Sequence, residues 1–142
     1  MDEPRISGNT IVIPSDMVYL ATVDEFISAR LTKAGITNST IADLAISVSE
    51  AVTNAIIHGN RNDVAKKVTV RIELNQTRVR IFVKDQGHGF DPDVIPNPTD
   101  KENLLKRVGR GIFIVRSLVD SVEFSFSDQG TELILKKNLA RE

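Results

Sequence analysis

Residues 68–84 constrain the fold of this chain more than any other stretch. Val68, Val70, Ile72 and Leu74 alternate with Thr69, Arg71 and Glu73, and after Asn75-Gln76 the alternation resumes as Val79, Ile81 and Val83 against Arg80 and Lys84. Successive side chains on a strand point to opposite faces, so this is a hairpin with one apolar and one wet face. A sheet buried on one side only argues for antiparallel strands roofed by helices, whereas a doubly wound parallel sheet needs strands that are apolar throughout. The expected fold class is therefore α+β: a two-layer α/β sandwich whose mostly antiparallel (mixed) sheet carries about three helices on one face.

The rest of the chain supplies those layers. Asn9 to Ile13 reads as a short strand stopped by Pro14. Ser15 is placed to cap a helix with Leu20, Val23, Ile27 and Leu31 on its inner face, ending at Gly35. Thr37-Asn-Ser-Thr40 offers caps for a second helix that terminates at Gly59-Asn60. Ile112, Val115, Leu118 and Val119 mark a third. Val122, Phe124 and Phe126 form a strand, Asp128-Gln129-Gly130 a turn, and Leu133 and Leu135 a last strand, giving about five strands in all. A length of 142 residues suits one domain, 1–142. Between Gln86 and Arg110, Gly87, Gly89, Pro92, Pro96 and Gly109 interrupt all periodicity, and a connection this long in a small domain is expected to be functional or mobile.

The second helix contains an anomaly. Ile41, Leu44, Ala45, Val48, Val52, Ala55 and Ile56 make it a core helix, yet Glu50, Asn54 and His58 recur every fourth residue and so stack on one face. A polar stripe on a packed helix must line a cavity or be satisfied internally. Two glycine clusters accompany it. Asp85-Gln-Gly87-His-Gly89-Phe90 follows a strand, where paired glycines allow close approach of a flat ligand and the carboxylate can accept from an exocyclic amine such as that of adenine. Gly109-Arg110-Gly111-Ile112 opens the third helix, where unpaired N–H groups suit phosphate oxygens. Purine at one end and phosphate at the other describe a nucleotide, while the Rossmann and Walker fingerprints are absent.

In order, Glu50-x-x-x-Asn54, Asp85-x-Gly87-x-Gly89 and Gly109-x-Gly111 resemble the N, G1 and G2 boxes of the GHKL (Bergerat-fold) ATPase superfamily. Ser49-Glu50-Ala-Val-Thr-Asn54-Ala-Ile-Ile-His58-Gly59, with Gly130-Thr131-Glu-Leu, is similar to the bacterial anti-sigma-factor serine/threonine kinases. The resemblance implies a Bergerat ATP-binding fold using ATP and Mg2+. Asn54 would hold the metal, Asp85 would recognise the adenine amino group and Glu50 would act as base. Gly87, Gly89, Phe90, Gly109, Arg110, Gly111 and Ile112 would line the nucleotide, Thr131 would sit near the purine, and 86–110 would form an ATP lid. His58 either contacts phosphate or lid or is a satisfied histidine at a helix end. Arg107 is equally a phosphate partner or a solvated base, and His88 occupies an open position of its motif.

The resemblance implies an anti-sigma factor that phosphorylates a small antagonist on Ser or Thr in a partner-switching circuit, and a homodimer. The alternatives are an ATP-regulated binding module without turnover and a stand-alone histidine-kinase-like ATPase domain. The last is disfavoured because the chain has two histidines, both inside the nucleotide motifs, and no room for an acceptor helix pair. Composition excludes little beyond this and says nothing more about partners. The 18 Lys+Arg against 19 Asp+Glu give no general attraction for nucleic acid or anionic lipid. Apolar runs fall far short of the ~20 residues that span a bilayer. Met1-Asp-Glu-Pro-Arg5 is unlike a secretory signal, and the absence of cysteine suits a reducing cytoplasm.

Overall fold

The computed structural model describes residues 3–87, 111 and 113–139. Six strands form one sheet: β1 (Arg5–Ser7), β2 (Thr10–Pro14), β3 (Lys67–Leu74), β4 (Arg78–Lys84), β5 (Ser121–Ser127) and β6 (Gly130–Asn138), in the order β1-β2-β3-β4-β6-β5. Every pairing among the described residues is antiparallel. The register aligns Ile11, Val70, Val83 and Leu133 across four strands, and Ile72, Ile81 and Leu135 in the next apolar row. All seven are buried under helices α1 (Leu20–Lys33) and α2 (Asn38–Asn54), and Val115 of a third helical segment, α3 (113–118), joins the same core. The alternation in residues 68–84 is the β3–β4 hairpin, and the molecule is the two-layer α+β sandwich that alternation implies.

The wet face of that hairpin still hides an aromatic ring. Phe82 lies under the guanidinium groups of Arg71 and Arg80, 4.0 and 5.4 Å from its centroid. Both arginines pair with Glu73, and the hydrogen bond from Arg71 leads in holding that carboxyl below its ordinary pKa.

Three local readings are corrected. A sixth strand, β1, precedes the expected first one, joined to β2 through Gly8 at φ +57°. Its three residues are exposed, so no apolar alternation announces it. Arg30 of α1 fastens the turn by donating to the Gly8 carbonyl oxygen from Nε and Nη2, while stacking 3.9 Å above the Phe26 ring. Pro14 pairs with Lys67 as the last residue of β2 instead of stopping the strand before it, a position where a missing N–H is tolerated. Ser15 is not the helix cap. Its buried hydroxyl donates to the Lys66 carbonyl, and Asp16 caps a single 3-10 turn, Met17–Tyr19, that leads into α1.

Thr37 caps α2, accepting from the Thr40 amide. Ile41, Leu44, Val48 and Val52 point into the core as expected, whereas Ala45 is only half-buried. Beyond Asn54 the helix widens into a π turn, Ala55–Gly59, closed by the Asn60 amide on the Ala55 carbonyl at 2.8 Å. By length and mean hydropathy alone Asn38–Gly59 could cross a membrane. Its apolar side, however, is the core of this domain. From residue 88 onward, the expected lid lies outside the described residues.

Candidate functional site

Asp85 is the first residue past β4, and the sheet itself places it. Its amide donates to the Thr131 carbonyl on β6 at 3.0 Å, and its Oδ1 accepts from the amides of Thr131 and Gly87, both at 3.0 Å. The residue is 5% exposed. Burial pushes its carboxyl above the ordinary range, opposed by the Thr131 and Gly87 amides and by the charge of Lys66. Oδ2 accepts no hydrogen bond among the described residues, so one lone-pair edge is left for a ligand while the other fixes its direction.

Three glycines close around this carboxylate. A Cβ at Gly59 would lie 2.1 Å from Asp85 Oδ2, one at Gly87 2.0 Å from the Gly59 carbonyl oxygen, and one at Gly130 2.1 Å from the Asp85 carbonyl oxygen. Gly130 also sits at φ +131°, where a side chain is strained whatever the space. Backbone from the end of α2, the end of β4 and the start of β6 therefore converges with no side chain between. Such a corner can present one carboxylate oxygen to the edge of a planar ring bearing an amino group.

Glu50 and Asn54 lie one helical turn apart on α2, both half-buried. Gly111, itself helical and two residues before α3, is buried against them: a Cβ there would stand 3.1 Å from Asn54 Nδ2 and 3.2 Å from Glu50 Oε2. The absence of a side chain at Gly111 keeps the carboxamide and carboxylate adjacent to a helix opening. Among the described residues no group of three or more His, Cys, Asp and Glu side chains is placed to hold a metal. A cation here would take one carboxamide oxygen from the chain and the rest from an anionic ligand and water. That donor set fits Mg2+, which keeps waters and phosphate oxygens in its shell and does not need an all-protein cage.

The structure thus brings Glu50, Asn54 and Gly111 into one cluster and Asp85, Gly87 and Thr131 into another, both at the C-terminal half of α2. His58 falls in the π turn that follows Asn54 and is half-buried. Gly89, Phe90, Gly109, Arg110 and Ile112, with His88 and Arg107, lie outside the described residues. A depression of about 420 Å³ lined by Asn9, Glu73, Asn75 and Arg78 lies at the opposite end of β3 and β4 and shares no residue with either cluster.

Sequence reasoning missed Gly59, Asn60, Ser15 and Gly130. Gly59-Asn60 reads as a helix stop, but Asn60 is 1% exposed and its carboxamide bonds to three other segments. A turn signal and the motif Gly130-Thr131-Glu-Leu mark Gly130, but not its approach to Asp85. Nothing local marks the roles of the other three, because apart from Lys67, 7 residues from Asn60, the partners bonded to Ser15 and Asn60 are 26 to 51 residues distant in the chain.

The model of the family described as histidine kinase-like ATPase domain matches residues 13–137, which span both clusters and all the sheet except β1, the start of β2 and the last residue of β6. The chain is 28% identical over 137 residues to the serine-protein kinase RsbW of Staphylococcus aureus (strain JH9), covering 92% of this chain and 86% of that protein. Its fold is similar to the RsbU and RsbW domains of Rv1364c from Mycobacterium tuberculosis: TM-score 0.70 at 23% identity, over 97% of this chain and 34% of that longer one. It is also similar to a blue-light activated histidine kinase, Erythrobacter litoralis EL346: TM-score 0.56 at 26% identity, over 73% of this chain and 32% of that one. With a family model matched from β2 to β6, and Glu50, Asn54, Asp85, Gly87 and Gly111 gathered around α2, the chain belongs to the histidine kinase-like ATPase domain family.

Proposed function

We propose that the protein is a Mg·ATP-dependent serine/threonine protein kinase that phosphorylates a small antagonist protein and, in the alternate state of the same circuit, holds a sigma factor. The observation that carries this reading is the placement of Gly111 against both Glu50 and Asn54. A helix opening and a base are thereby adjacent, with the Asp85 corner just beyond the end of the same helix. The sequence similarity to a protein named as a serine-protein kinase supports the choice of acceptor.

In this reading Asp85 Oδ2 accepts from the adenine amino group, and Gly59, Gly87 and Gly130 let the backbone close around that carboxylate. Asn54 would hold Mg2+, which neutralises phosphate charge when bound. Glu50 takes the proton of the acceptor hydroxyl as its oxygen attacks the γ-phosphorus. The bond from that phosphorus to the β–γ bridging oxygen breaks, and ADP leaves. The remaining parts are nucleotide contacts from Gly89, Phe90, Gly109, Arg110 and Ile112 and a homodimer, which rest on the sequence resemblance, and a cytoplasmic location, which rests on the lack of cysteine and of a signal-like N-terminus.

The test is incubation with ATP labelled at the γ-phosphate and a small antagonist-type domain. Label should enter one Ser or Thr and vanish when that residue becomes Ala. ATP binding without label transfer to any such acceptor would replace the kinase with an ATP-regulated binding module.

A further inference from the structure

Asp85 is held by more than its own hydrogen bonds. Immediately after the π turn of α2, the buried Asn60 spends its whole carboxamide on three segments. Nδ2 donates to Ser15 Oγ at 2.8 Å and to the Lys67 carbonyl at 3.0 Å, and Oδ1 accepts from the Gln86 amide at 2.7 Å. The Gln86 side chain closes the circuit, its Oε1 accepting from the Lys67 amide at 2.6 Å, while Ser15 Oγ donates to the Lys66 carbonyl at 2.6 Å. The ends of β2, β3 and β4 are thus tied to the end of α2 beyond the last rungs of the sheet.

The position of the knot matters more than its strength. Gln86 follows Asp85 and Asn60 follows Gly59, so the Oδ1 to Gln86 bond joins the neighbours of the two residues that touch across the purine corner. A Cβ at Gly59 would overlap Asp85 Oδ2, so the Gly59 backbone is the wall against which that oxygen rests. If the separation between the π turn and the end of β4 changes, the direction of Oδ2 changes with it. Thr131 and Gly87 bind only Oδ1 and leave rotation about that oxygen to be limited by Gly59.

We infer that Asn60 is the positioning residue for adenine selectivity. Its carboxamide sets the spacing between Gly59 and Asp85, and through it the aim of the one carboxylate oxygen left for the purine. The inference rests on the reading of Asp85 as the purine acceptor. It assigns Asn60 no contact with nucleotide and no part in holding phosphate, which is the business of Glu50, Asn54 and Gly111. A residue needed only for stability would weaken all nucleotides and metal dependence alike. Asn60 should change the preference between purines alone.

Calorimetric titration with ATP and GTP, each with and without Mg2+, tests this on Asn60→Ala, Asn60→Asp and the control Asp85→Asn at a temperature where all are folded. Asn60→Ala should reduce the ATP-over-GTP affinity ratio about tenfold or more, while the factor by which Mg2+ strengthens ATP binding is unchanged. Asn60→Asp retains an acceptor for the Gln86 amide and should hold the ratio within about threefold of the original. If Asn60→Ala does not fold, Asn60→Ser, which leaves room for water, carries the same expectation. The inference is overturned if the alanine or serine variant keeps the original ratio, if its magnesium factor falls in proportion, or if Asn60→Asp loses as much selectivity as they do. An original protein without purine preference, or an Asp85→Asn variant that retains it, refutes the purine reading itself.

Discussion

Gly59→Ala is the perturbation with the largest consequence for the fewest atoms. The backbone at Gly59 is not left-handed, so alanine meets no conformational penalty there and the whole effect comes from the added methyl. That carbon would stand 2.1 Å from Oδ2, 2.4 Å from Cγ and 2.9 Å from Cβ of Asp85, about 1.4 Å short of an ordinary carbon contact. The carboxylate cannot retreat so far and keep both bonds from Oδ1 to the Gly87 and Thr131 amides. Hydrogen bonds to a charged group contribute about 1.5–3 kcal/mol each, and alanine regains at most about 1 kcal/mol over glycine in a helical turn. The expected loss is about 2–4 kcal/mol, a fall in Tm of roughly 5–15 °C for a domain of this size. Urea unfolding of Gly59→Ala, Asp85→Ala and the double variant isolates the contact. Asp85→Ala removes Oδ2 and Cγ and leaves only Cβ, so in that background Gly59→Ala should cost about 1–3 kcal/mol less. Additivity within about 0.5 kcal/mol would refute the reasoning, because it would mean that the two residues do not meet.

Asp85→Asn should leave stability unchanged or raise it, since Oδ1 keeps its two amide donors and a desolvated charge is removed; thermal unfolding at neutral pH checks it. The pH profile follows the same group. Its folded-state pKa lies above the unfolded one, so between the two values the folded state alone binds the proton, and stability falls as pH rises through that window. Preference for ATP should run the other way, weakening on acidification through the raised pKa because a protonated Asp85 has lost its acceptor edge; titrations of ATP and GTP across pH measure it. Asn54→Ala should diminish the strengthening of ATP binding by Mg2+ more than metal-free binding, which calorimetry with and without the ion resolves. Glu50→Ala should keep nucleotide affinity and lower phosphoryl transfer roughly 100- to 10,000-fold in single-turnover assays.

The parts of this fold with a repeating local signature were legible in the sequence. Val68 to Val83 alternate because one face is core, and Ile41, Leu44, Val48 and Val52 recur at helical spacing for the same reason. Glu50 and Asn54 stood out because carboxylates and carboxamides are anomalous on such a helix. Single-residue roles set by distant partners were not legible. Ser15 looks like a helix cap in its own neighbourhood, yet its hydroxyl is claimed by Lys66 and Asn60, so Asp16 does the capping. Gly59-Asn60 looks like a helix stop, yet the glycine makes room for Asp85 and the asparagine ties down Gln86. The π turn at Ala55–Gly59 was not legible either, because a π turn cannot be distinguished from an α turn in sequence. β1 was invisible because its three residues are exposed and Arg30, which fastens the turn after it, lies more than twenty residues away.

Backbone and side-chain amide resonances followed during titration with Mg·ATP test the central claim most directly. The account predicts saturable shifts at the amides of Gly87, Gly111 and Thr131 and at the Asn54 carboxamide, with GTP producing much weaker ones at Gly87 and Thr131. Shifts confined to Asn9, Glu73, Asn75 and Arg78 at the far end of the sheet, or equal shifts with the two nucleotides, would contradict it.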